Sequence, residues 1–282
     1  MKPSLLLFFL ALGGCAARQR VTAPPDLFDD ASFGTPAARV NANEILAISE
    51  PMKKYVREVM APRLKWQTAH AALIDVLSDR SQLQLTYDAE TTRSASEAFE
   101  ARAGNCMSLV LMTAAFAREL GAPFRILSVE VDENWGHEGE LLMFAGHVNI
   151  RLGPGALANH HGDLTGESVL VDFLPSADLR RQKSVPIDEA TVLAMFMNNK
   201  AVEALADGKV DDAYAWVREA IRREPTLVDA YNTLGVIHQR HGHPERAEVA
   251  FRYAAELAPT NAHALRNLAA LLKEQHREKE AM

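Results

Sequence analysis

The sequence predicts an α+β region followed by an all-α solenoid of repeats. Three observations carry this. Up to residue 121 the apolar residues recur at helical spacing, and from residue 124 to 173 they alternate with period two. From about residue 191 the helical spacing returns. In that last stretch Ala213, Val217, Ala220 and Pro225 recur as Ala247, Phe251, Ala254 and Pro259, an offset of 259 − 225 = 34 residues. Helices followed by antiparallel strands make the first part α+β.

The totals narrow the function classes. A chain of 282 residues holds about two domains. Its net charge of -7, with no compensating Lys/Arg cluster, argues against nucleic acid as a partner. Two cysteines, Cys15 and Cys106, do not make a disulfide scaffold.

The N-terminus points to export. Lys2 precedes the short apolar run LLLFFLAL, and Gly13 and Gly14 follow. A basic start, a short apolar core and small residues form the layout of a secretory signal. The run is too short to span a bilayer. Leu12-Gly13-Gly14-Cys15 resembles the lipobox of bacterial lipoproteins. That resemblance implies a signal peptide over residues 1–14, cleavage before Cys15 and acylation there. With Ala16 rather than Asp next, it implies the outer membrane, facing the periplasm. An ordinary secreted chain is the alternative. Residues 15–43, rich in Ala, Pro, Asp and Arg without periodicity, read as a flexible tether. Cys106 is then the free thiol of an oxidising compartment.

The elements follow in order. Ser49 caps a helix with Pro51 in its first turn, and Pro62 ends it. A second helix covers residues 66–77, and residues 82–87 alternate as a short extended segment. Ser94 and Glu97 form a capping box. Gly104 fits the left-handed residue that closes that helix, and Asn105 caps the next, with Cys106 in its first turn. Leu109, Val110, Met112, Thr113, Phe116 and Leu120 make its buried face before Gly121 stops it. Strands are expected over residues 124–131, 141–152 and 168–173.

This placement has chemical meaning. A cysteine at a helix N-terminus faces unpaired N–H groups and the positive end of the macrodipole, which favour thiolate and stabilise an oxyanion. The bland alternative is a buried cysteine acting as a small hydrophobe. A nucleophile needs a base and the base an orienting group. His147, mid-strand in FAGHVNI, shares a face with Ala145 and Asn149, and Asp172 ends the apolar strand VLVDF. A buried carboxylate needs a partner, and an imidazole is a natural one. Tyr87 is a candidate oxyanion donor or, equally, a core tyrosine.

GNCMSLVLMTAAFARELGAPFRI, then GHVNI, then VLVDF, resembles the bacterial transglutaminase-like superfamily, which is papain-related. The resemblance implies such a domain over residues 44–190. Cys106 would be its nucleophile, His147 its general base and acid, and Asp172 the orienter of His147. It implies an acyl-enzyme formed from an amide and resolved by water or by an amine.

Tyr231, Leu234, Gly235, His238, Ala247, Phe251, Ala254 and Pro259 fall on the consensus positions of tetratricopeptide repeats. Asn199-Lys200-Ala201 opens a weaker unit, and Leu265, Leu268, Ala269 and Leu272 open a cap, giving a repeat domain over residues 191–282. His238, His241 and His243 sit at a repeat turn and are expected in solvent. His160, His161, Asp163 and Glu167 lack metal-site spacing, so neither a metal nor another cofactor is expected.

The expectation is an envelope protein, lipid-anchored at Cys15. It would act on a peptide or isopeptide amide, hydrolysis before cross-linking, and its repeats would recruit a protein partner or substrate. The rivals are an inactive transglutaminase-like fold serving as a repeat scaffold, and an amine-accepting cross-linker.

Overall fold

A computed structural model describes residues 22–37, 39–79, 81–129, 146–157, 168–174, 183–277 and 279–280. The signal run, Cys15, and His160, His161, Asp163 and Glu167 lie outside the described residues.

The chain mixes helix and sheet and then becomes helical. Two short helices, α1 (Ala42–Ile45) and α2 (Glu50–Tyr55), open the mixed part. Ser49 caps α2 with Pro51 in its first turn. Pro62 does not simply stop this run. The chain passes through a π turn, Val56–Met60, into a 3-10 turn, Ala61–Lys65, with Pro62 in its first turn, where a missing N–H costs nothing. The next helix, α3 (Ala69–Ser78), starts later than expected because Thr68 caps it. Trp66 is left outside, 86% exposed. The extended segment shrinks to β1 (Thr86–Tyr87), since Gln84 sits at φ 51, in the left-handed region that breaks a strand.

Helix α4 (Ala95–Ala101) has the full capping box: Ser94 accepts from the Glu97 amide and Glu97 from the Ser94 amide. Its left-handed closing residue is Arg102, at φ 51, not Gly104. Gly104 instead lies in β2 (Ala103–Gly104), paired with β1. It is small because a Cβ there would stand 2.4 Å from the Ser108 Cβ. Helix α5 (Cys106–Leu120) is capped by Asn105 and closed by Gly121 at φ 67. Its central side chains, from Met107 to Ala117, are all buried, so α5 is the spine of the core.

The sheet contains β3 (Phe124–Val129), β4 (His147–Leu152), β5 (Val169–Val171) and β6 (Ser184–Pro186) in the order β5-β4-β3-β6, all antiparallel. The sequence reading missed β6. It is an edge strand, where Pro186 needs no ladder donor, and three residues show no period. Alternation puts His147 and Asn149 on one face of β4, and Val148, Ile150 and Leu152 on the other, in the core.

Helices α6 (Glu189–Ala206), α7 (Val210–Arg223), α8 (Val228–Arg240), α9 (Pro244–Leu257) and α10 (Ala262–Glu274) complete the chain as antiparallel neighbours. Ala213, Ala220, Ala247 and Ala254 are fully buried where these helices touch. A Cβ on Gly235 would meet the Phe251 ring at 2.4 Å, and that ring is itself fully buried. Gly235→Ala is expected to cost roughly 1–3 kcal/mol by overpacking. Urea melts of the two proteins check this, and equal midpoints would show that the ring has room to move.

Two expectations are corrected at the helical region. Residues 24–36 do not run free as a tether. Phe33 stacks on Tyr214 at 3.8 Å and on His241 at 4.3 Å. Asp30 pairs with Arg218 at 2.7 Å and Asp29 with Arg246 at 2.9 Å. Nor is His238 solvated. It is fully buried, burial pulls its pKa down, and its neutral ring donates through Nε2–H to the Leu27 carbonyl at 3.2 Å.

Candidate active site

The site begins with backbone. β1 and β2 pair in parallel, Tyr87 beside Gly104, with Asp88 N–H donating to the Gly104 carbonyl at 3.0 Å. This brings Tyr87 to the first turn of α5. Burial pushes the Tyr87 phenol up and nearby Cys106 adds to it, while the Cys106 backbone amide beside the phenol acts the other way.

Cys106 is the first residue of α5, partly buried and unpaired. Its helix start is over-determined. The Asn105 side-chain oxygen accepts from the Ser108 backbone N–H at 3.0 Å and from the Ser108 hydroxyl at 2.8 Å. The Asn105 side-chain NH2 donates to the Thr92 hydroxyl at 2.7 Å. Arg93 N–H donates to the Ser108 hydroxyl at 2.8 Å.

His147 opens β4, only 5% exposed. Its Nε2 lies 3.0 Å from both carboxylate oxygens of Asp172, which follows β5. That leaves Nδ1 as the nitrogen for the Cys106 side chain, which lies within hydrogen-bond reach of the ring. Burial pulls the imidazole down, but the hydrogen bonds to Asp172 and Cys106 outweigh it and lift it to about 9. Asp172 shows the mirror image. Burial raises its carboxyl, yet the His147 bond, the Leu174 N–H at 3.0 Å and the Asn149 amide hold it below the usual range.

The four predicted residues Cys106, His147, Asp172 and Tyr87 therefore meet at one place, where the start of α5 faces the beginning of β4. Sequence reasoning missed Asn149 as a donor to Asp172, although it shares the His147 face two residues on. It missed Thr92 altogether, since a lone Thr in a loop carries no pattern.

The helical region carries a second feature. Helices α8 and α9 form a tight hairpin with Gly235 against Phe251, and the Tyr231 hydroxyl closes the preceding turn by donating to the Pro225 carbonyl at 2.8 Å. Residues 228–261 match the tetratricopeptide repeat model. A comparison with curated proteins finds no match. The tetratricopeptide repeat is stitched to the next helix by the buried Asn267 amide, which donates to the Asn232 carbonyl at 2.9 Å. Repeats of this kind generally mediate protein partner binding, stacking into extended surfaces.

Proposed function

We propose that the chain is a cysteine-nucleophile enzyme of the transglutaminase-like class, acting on a peptide or isopeptide amide. The observation that carries the proposal is the His147 ring held between Asp172 and Cys106 with its pKa raised to about 9. A ring in that state keeps a proton at neutral pH, so Cys106 has an imidazolium beside it.

The steps follow from this. The Cys106 Sγ attacks the carbonyl carbon, and the oxygen takes the electron pair. The Cys106 backbone N–H and the Tyr87 hydroxyl, which lie beside one another, are the donors proposed for that oxyanion. His147 gives its Nδ1 proton to the amide nitrogen, the C–N bond breaks and the amine leaves, with the acyl group on sulfur as a thioester. Neutral His147 then takes a proton from water, which attacks the thioester and restores the thiolate. An amine in place of water gives a new amide. Hydrolysis is favoured, because water is always present and no residue pattern marks an amine site.

Cys15 as a lipid anchor places this chemistry at the bacterial envelope, on the outer membrane facing the periplasm. The tetratricopeptide repeat recruits a protein partner or substrate to it.

One assay separates the readings. A library of fluorescent peptides is incubated with the protein and with Cys106→Ala, in ¹⁸O-water with a labelled primary amine added. Cys106-dependent ¹⁸O in a new carboxyl group means hydrolysis. Cys106-dependent incorporation of the amine means cross-linking. Identical product spectra from the two proteins would leave a scaffold built on an inactive fold.

A further inference from the structure

The first helix of the helical region reaches into the cap of the helix that carries Cys106. Lys200 and Glu203, one turn apart on α6, pair at 2.7 Å and grip Thr92 from both sides. The Thr92 N–H donates to the Glu203 carboxylate at 2.6 Å, and the Lys200 ammonium donates to the Thr92 carbonyl at 3.3 Å. Thr92 is 2% exposed, and its hydroxyl accepts from the Asn105 amide.

The last link decides an orientation. An Asn side chain can present either its oxygen or its NH2 to a helix end, and only the oxygen caps it. With Thr92 taking the Asn105 NH2, the Asn105 oxygen faces the Ser108 N–H and hydroxyl. The Ser108 N–H calls for the Asn105 oxygen, Thr92 holds that orientation by accepting the Asn105 NH2, and α6 holds Thr92 in place. The Thr92–Asn105–Ser108 part of the network is buried, so a member of it left without its partner has no water to turn to.

We propose that Glu203 and Lys200 are positioning residues for the thiol, acting through Thr92 and Asn105, so that a partner that shifts α6 tunes the reactivity of Cys106. The helical region is then part of the site's construction and a route for its regulation, in addition to a recruiting surface. The inference rests on the Cys106–His147 pair proposed above.

The test uses the full chain with Cys15→Ser, so that Cys106 is the single thiol, and follows its alkylation by iodoacetamide between pH 5 and 10. Thr92→Val removes the hydroxyl at nearly constant shape, and Thr92→Ser restores it. Glu203→Ala and Glu203→Gln form the second pair, since Gln keeps an acceptor for the Thr92 N–H. Thr92→Val and Glu203→Ala are expected to move the profile up by about one pH unit, slowing the neutral-pH rate roughly tenfold. Ser and Gln are expected to recover most of it. A loss from instability alone would change the melting curve and leave the pH midpoint of the folded protein in place, which counts against the proposal. So do profiles for Thr92→Val and Glu203→Ala that overlay the parent while His147→Ala still shifts it. If His147→Ala leaves the parent profile unchanged, the Cys106–His147 reading itself falls, and this inference with it.

Discussion

Asp172→Asn is expected to slow Cys106 alkylation at pH 7 by about two orders of magnitude, and any Cys106-dependent amide turnover at least as much. Three donors converge on the Asp172 carboxylate: His147 Nε2, the Leu174 amide and the Asn149 side chain. An asparagine there offers one acceptor oxygen in place of two and brings an NH2 into a ring of donors. His147 loses the larger of the two partners that lift its pKa to about 9, and only Cys106 is left to oppose burial, which pulls the ring down. The imidazole pKa is then expected to fall, leaving less imidazolium beside the thiol at pH 7. Stability shifts with it. A raised folded pKa contributes stability in full below the unfolded value of 6.5, and the contribution is lost as pH rises through about 9. The parent protein should therefore melt lower at pH 9.5 than at pH 6 by more than Asp172→Asn does. Matching rate profiles and matching pH dependence of melting would remove the ion pair from the account.

The second large effect is expected from Gly104→Ala. The added Cβ would lie 2.4 Å from the Ser108 Cβ, and Ser108 cannot retreat. It is fully buried in the first turn of α5, with its hydroxyl held by Asn105 and by the Arg93 amide. Either β2 leaves β1, which moves Tyr87, or α5 tilts and carries Cys106 away from His147. A cost of about 3 kcal/mol is expected, at the upper end of overpacking penalties. Guanidinium melts measure it, and alkylation of Cys106 at pH 7 should slow in the fraction that remains folded. Gly104→Ala with native stability and a native rate would mean that the pairing of β1 with β2 does not set the site.

Local chemistry was legible in the sequence, and long-range chemistry was not. The Ser94–Glu97 capping box, the Asn105 cap and the Gly121 stop are written within four residues of the helix ends they serve. The 34-residue recurrence that exposes the tetratricopeptide repeat is likewise a matter of spacing along the chain. Phe33, Asp29 and Asp30 looked like ordinary linker residues because their partners stand near residues 214–246, far along the chain. His238 looked solvated at a turn for the same reason, its acceptor being the Leu27 carbonyl. Gly104 reads in the sequence as the left-handed residue that closes α4, whereas the steric approach of Ser108 is what requires a glycine there. Cys106 stands out by its place at a helix start, and His147 and Asp172 because a polar residue in an apolar run requires a partner. Thr92 and Glu203 broke no pattern, so nothing in the sequence singled them out.

The docking of residues 24–36 on α7 to α9 changes the length of the leash. Between Cys15 and residue 43 an unattached chain of 28 residue steps reaches about 95 Å. With Pro24 already lining one cavity together with Val249 and Arg252 of α9, 24 − 15 = 9 steps remain, about 30 Å at full stretch. With the proposed acyl anchor on Cys15, the repeat helices would stand within about one protein diameter of the bilayer, and a partner would have to be reached in that thin layer.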